Sequence, residues 1–228
     1  MNRAPAAEFD WTPKPVWEGD VVQSINSSSD PDGDALSYAW KVEQPDGAVI
    51  TSSSQDFRHE FLAPGVYKVT LTVSDGLLSS STVKMIAAAP LTIHSDVTYT
   101  DNWLLLHEKS GHQTAAAPKD FYSGEIFVVA CQSSPAPVDE VTAWMDTTGL
   151  DAKTLYVSER LTAAAGDATK FSGEIFDARF QSFSEGLPPG LQTIHFRIRY
   201  RNGVIKTEDV PIHIIGNVNQ SVGVHRVQ

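Results

Sequence analysis

The stretch "PGVYKVTLTVSDGLLSSSTVKM", Pro64 to Met85, alternates apolar and polar residues along two runs joined at Asp75-Gly76. In the first run Tyr67, Val69, Leu71 and Val73 share one face, and Lys68, Thr70 and Thr72 share the other. A period of two carried across a short Gly turn predicts an antiparallel hairpin with one face turned to a core. The pattern returns in "PGLQTIHFRIRYRNGVIKTEDVPI", Pro189 to Ile212, where Ile194, Phe196, Ile198 and Tyr200 oppose Thr193, His195, Arg197 and Arg199. The same hairpin near the end of each half predicts two domains of related plan.

Outward from these hairpins, "GDVVQSI", "LSYAWKV", "GEIFVVACQ", "EVTAWMD" and "FSGEIFDARF" are short, β-branched and aromatic, and bounded by turn formers. Many short strands of this kind predict antiparallel sandwiches, two sheets burying alternate side chains between them. The fold class expected is therefore all-β, two tandem sandwiches divided near "IAAAP", residues 86–90: residues 1–88, and a larger unit 89–228 ending in a tail. One short helix is expected in the second unit at "DNWLLLHEKSG", with Asp101 as N-cap and Gly111 past its end. "YSGEIF" at 122 and "FSGEIF" at 171 echo one another as two similar turn-to-strand entries.

Composition narrows the function. With 28 acidic against 17 basic residues the 228-residue chain carries a net charge of −11, so the phosphates of nucleic acid and of anionic membranes would be repelled. Cations, neutral glycans and proteins remain as partners. One cysteine, Cys131, excludes an internal disulfide and sits in an apolar run, as a buried structural thiol does. No segment approaches the roughly 18 apolar residues of a membrane span, and the start lacks the apolar stretch of a signal peptide.

"APAAEFDWTPKPVWEGDVV", "SSSDPDGDALSYAW" and "PGVYKVTLTVSDG", in that order, resemble the polycystic-kidney-disease (PKD) repeat, an immunoglobulin-like sandwich, over residues 3–88. The usual aromatic-Phe-Gly-Asp continuation after the central Trp is replaced by "KVEQPDG" after Trp40. The second half looks only loosely immunoglobulin-like: Gln192 stands where Tyr67 stands in the first, so a tyrosine-corner bond is not expected there. The resemblance implies a non-catalytic module of a secreted or cell-surface bacterial protein, a spacer, adhesive or assembly unit. Its partners would be other domains of a longer chain or copies of itself. It also implies export, so that this chain would be a fragment without its signal peptide.

"SSSDPDGDALSYAW", residues 27–40, sets Asp30, Asp32 and Asp34 at alternate positions. Asp30-Pro31-Asp32-Gly33 suits a type I turn: Asp caps its own backbone, Pro presets φ, and Gly fits the fourth place. The alternative is a calcium site, because clustered carboxylates repel unless neutralised and calcium seeks six to eight oxygens. Asp75 would join the three if its turn lies at the same end, and some PKD relatives bind calcium near this position. An EF-hand is excluded, with Gly at the fourth place rather than the sixth and Lys41 where Glu belongs.

Catalytic signals are sparse. His107, Glu108 and His112 suggest a zinc helix, but the histidines stand five apart rather than four, with Gly111 between. No nucleophile elbow or phosphate-cradling loop occurs. Among five tryptophans, Trp40 shares a parity with Leu36, Tyr38 and Val42 and is expected in the core. Trp144 falls opposite Val141, Ala143 and Met145 and is the candidate sugar platform. The alternative function is thus a carbohydrate-binding accessory region of an extracellular polysaccharide- or protein-degrading enzyme.

Overall fold

A computed structural model describes residues 1–99, 119–123, 126–145, 159–176 and 190–217. Every element among them is a strand. The chain divides into two compact units, Met1–Leu91 with Asn202–Val204, and Thr92–Arg201 with Ile205–Gln228. The predicted helix at 101–111, with Trp103, His107, Glu108 and His112, lies outside the described residues, as does the chain's end after residue 217.

The first unit runs β1 (Phe9–Thr12), β2 (Val16–Trp17), β3 (Asp20–Asn26), β4 (Ser37–Glu43), β5 (Val49–Ser52), β6 (Phe57–Phe61), β7 (Gly65–Ser74) and β8 (Ser79–Ala89). They form two sheets, ordered β1-β3-β6 and β2-β8-β7-β4-β5. The predicted alternation holds: Tyr67, Val69, Leu71 and Val73 are all at most 1% exposed. Trp40 joins them in the core, edge-on to Phe9 with centroids 5.0 Å apart, its Nε1 donating to the Ser54 carbonyl at 2.9 Å. Tyr67 stacks on Phe61 at 3.7 Å, donates its hydroxyl proton to the Ala63 carbonyl at 2.9 Å and accepts from the Ala63 N–H at 3.1 Å. Gly65, at φ +139°, is required where the chain enters β7, since a Cβ there would meet the Pro45 ring at 2.7 Å.

β8 pairs with β7 from Ser79 to Ala88, but on its other side only Ala88 and Ala89 pair, with β2. The remaining edge is guarded by Lys84, whose ammonium turns inward to bond Glu8 and the Phe9 carbonyl and lies 5.0 Å from the Phe9 ring centre. An inward charge on an edge strand opposes pairing with another chain.

The second unit comprises β9 (Ile93–Tyr99), β10 (Lys119–Ser123), β11 (Ile126–Ser133), β12 (Val138–Met145), β13 (Glu159–Arg160), β14 (Thr162–Ala164), β15 (Asp167–Phe176), β16 (Gly190–Tyr200) and β17 (Ile205–Asn217). Its sheets run β10-β17-β16-β12-β13 and β14-β15-β11-β9. Ile194, Phe196, Ile198 and Tyr200 are buried as their parity predicts, as are Val97, Val129, Val141 and Ala143. The two echoed segments meet: Ile126 stands opposite Phe176, and Phe127 opposite Ile175. A tyrosine tie is present after all, supplied from the far end of the strand. Tyr200 donates to the Thr92 carbonyl at 2.7 Å and accepts from the Ser134 N–H at 3.3 Å.

Candidate functional site

The acidic loop joins β3 to β4, and its backbone explains its shape. Asp30 Oδ1 accepts the N–H of Asp32 at 2.7 Å and of Asp34 at 3.2 Å, while Gly33 N–H donates to the Asp30 carbonyl at 3.3 Å. Gly33 takes φ +81°, a conformation glycine adopts without penalty. One oxygen from each of Asp30, Asp32 and Asp34 can be chosen so that all lie within 4.8 Å of one another. Asp75 is held in its own turn instead, accepting Leu77 and Leu78 N–H groups at 2.7 Å each and the Asn2 side-chain amide at 2.9 Å. Those bonds hold its carboxyl below the usual range.

Arg3 supplies the loop's counter-charge. Its Nε and Nη2 reach Asp32 Oδ1 at 2.9 and 2.7 Å, its own N–H reaches Oδ2 at 2.7 Å, and Nη2 also meets the Pro31 carbonyl at 2.5 Å. The guanidinium and this N–H hold the Asp32 carboxyl down, against the raising effect of the Asp75 charge. Asp30 Oδ2 is buried without a hydrogen-bond partner.

Trp144 is half-buried on the outer side of β12, level with His195 of β16. The two rings stack with centroids 5.3 Å apart, and His195 Nδ1 lies 2.8 Å from Asp209 Oδ1. His195, on the polar face of its strand, thus lies between an indole and a carboxylate. Beyond them Arg199 bridges Asp139 at 2.8 Å.

A third feature escaped the sequence reading. The outer face of β14-β15-β11-β9 holds a depression of about 370 Å³, lined by His94, Asp96, Ala130, Gln132, Lys170 and Ser172 with Cys131, Ala164 and Phe171. The Cys131 thiol is pushed up to about 12, first by burial and then by the Glu208 charge, so it is a protonated apolar group and not a nucleophile.

The profile of the PKD domain family matches residues 2–87. Residues 2–87 have a PKD-like immunoglobulin fold. Among solved structures, the PKD1 domain of Vibrio anguillarum Epp is 28% identical, covering 40% of this chain and 99% of its own, with a TM-score of 0.33. A carbohydrate-binding module of the β-sandwich superfamily is 16% identical over 94% of this chain and 98% of its own, at a TM-score of 0.36. A 1.5-MDa bacterial ice-binding adhesin is 8% identical over 95% and 66%, at 0.42. No curated protein matches the chain. Among the described residues no helix is long and apolar enough to cross a membrane.

Proposed function

We propose that the chain is a non-catalytic structural or adhesive module of a secreted or cell-surface bacterial protein, presenting other parts of a longer polypeptide. The PKD match over residues 2–87 carries this reading. The charge arrangement of that unit supports it: Arg3–Asp32, Lys84–Glu8 and the Lys41–Glu43–Lys68 group tie turns and strands together. The guarded β8 edge favours a presenting role over polymerisation by strand addition. The test is turnover on chromogenic polysaccharides and casein, with light scattering alongside. Rates at the buffer blank and a mass that does not grow with concentration are expected; sustained hydrolysis would overturn the reading.

A second reading, a carbohydrate-binding accessory region, is favoured by the half-buried Trp144 ring stacked on His195. Retention on insoluble polysaccharide that Trp144→Ala abolishes would support it.

Calcium enters as a competitor of Arg3. Asp30, Asp32 and Asp34 would give carboxylate oxygens, with the unpartnered Asp30 Oδ2 as the first ligand and Asp75 adding its charge from nearby. In this proposal millimolar calcium raises the melting temperature, more so in Arg3→Ala, and Asp32→Ala abolishes the rise. An unchanged melting temperature in both wild type and Arg3→Ala would leave the loop a plain turn.

A further inference from the structure

We propose that the depression on the outer face of β14-β15-β11-β9 binds a short stretch of a neutral saccharide. The proposal deepens the carbohydrate reading above, resting on its ligand class while moving the contact away from Trp144 to the other sheet.

Register builds the depression. His94, Gln132 and Lys170 form one cross-strand row, and Asp96, Ala130 and Ser172 form the next. Long side chains fill the first row, while Ala130 and Ser172 are short, so the surface sinks between them. Ala130 of β11 and Ala164 of β14 give the depression a shallow apolar floor, while the Phe171 ring, opposite Cys131 in register, turns to the inner face. Paired strands lie about 4.8 Å apart and alternate residues along one face about 7 Å apart. The polar groups therefore sit on a grid of the scale of a pyranose ring and its hydroxyls. A volume of about 370 Å³ lies within the range of small-ligand sites, which combine apolar walls with a few placed polar groups.

Charge selects the ligand class. Asp96 and Lys170 bring opposite charges to the rim, and Lys170 is already bridged to Asp167 at 3.2 Å. Gln132 and Ser172 add neutral donors and acceptors, and both are exposed. A formally neutral lining with an apolar floor suits a ligand that alternates C–H faces with hydroxyls. With Lys170 already answered by Asp167, an anionic ligand would meet Asp96 without a free cation to receive it. The inert Cys131 thiol beneath suits binding, not covalent chemistry.

The experiment is isothermal titration of the full chain with cellohexaose, xylohexaose, mannohexaose, maltohexaose and chitohexaose, with hexagalacturonate as the charged control. At least one neutral hexamer is expected to bind with a Kd below about 1 mM. Gln132→Ala and His94→Ala, both exposed positions, should weaken it at least tenfold, and Trp144→Ala should leave it unchanged. Three results would each overturn the proposal: no binding by any neutral hexamer, tighter binding of hexagalacturonate, or loss of binding in Trp144→Ala but not in Gln132→Ala. That last result would keep the Trp144 reading while sinking this one. Hydrolysis of a bound hexamer would instead overturn the non-catalytic reading and leave the groove standing.

Discussion

His59 shows how one side chain sets a pH dependence. It lies on β6 between Phe57 and Phe61, with ring centroids 6.1 and 6.0 Å away, and its Nε2 is buried without a hydrogen-bond partner. Burial holds its pKa below the ordinary 6.5, with Glu60 opposing weakly, so the folded state keeps the ring neutral. The unfolded chain binds the proton first. Stability from this group is therefore complete above about pH 6.5 and is lost as pH falls from there toward the lower folded value. His59→Phe should remove that slope and, by relieving a stranded nitrogen, add about 1 kcal/mol. Thermal melts between pH 7.5 and 5 check it, and equal slopes in wild type and variant would refute it. The carboxylates act in a separate window. Asp167, lowered to about 2 by its bonds from Thr169 and Lys170, contributes above the ordinary carboxylate value and loses that contribution only as pH falls toward 2.

At the level of strands, Tyr200 ties β16 to the segments before β9 and after β11, although the loss of its bonds should be moderate. The Thr92 carbonyl also accepts the Ser134 N–H at 3.2 Å, so removing the Tyr200 hydroxyl leaves neither group wholly stranded. Tyr200→Phe should cost about 1 kcal/mol, at the low end for a buried hydroxyl with two bonds; urea denaturation measures it, and a loss near 3 would mean the Thr92–Ser134 bond does not compensate. This tie also marks where sequence reading stops. The β7–β8 and β16–β17 hairpins were legible because partners lie close in the chain and the period is two. Trp40 was legible from parity alone. The Tyr200 bond spans 108 residues, and the Arg3–Asp32 grip spans 29. The groove depends on which residue of β9 stands opposite which of β11. Nothing local fixes such pairings. A short alanine inside an apolar strand, Ala130, was the one visible trace of the groove, and it reads equally well as ordinary packing.

At the scale of the whole chain, the first unit contains what it needs to fold. Its core side chains run from Phe9 to Ala88, and both its sheets close within Met1–Leu91. Asn202–Val204, grouped with it, contribute no side chain to that core. A domain of this size buries about 60–70% of the surface its unfolded chain exposes, enough for independent if modest stability. The fragment Met1–Leu91 should therefore unfold in one cooperative step. Trp40 reports the core directly, because its ring is 1% exposed and wedged between Phe9 and Phe57. Its fluorescence, isolated by Trp11→Phe and Trp17→Phe in the fragment, and the far-ultraviolet circular dichroism should give coincident urea midpoints, as a two-state domain requires. Separated midpoints, or a fragment that exposes Trp40 in buffer, would mean that the first unit draws its order from residues beyond Leu91, and the two-unit reading would then fail at its first boundary.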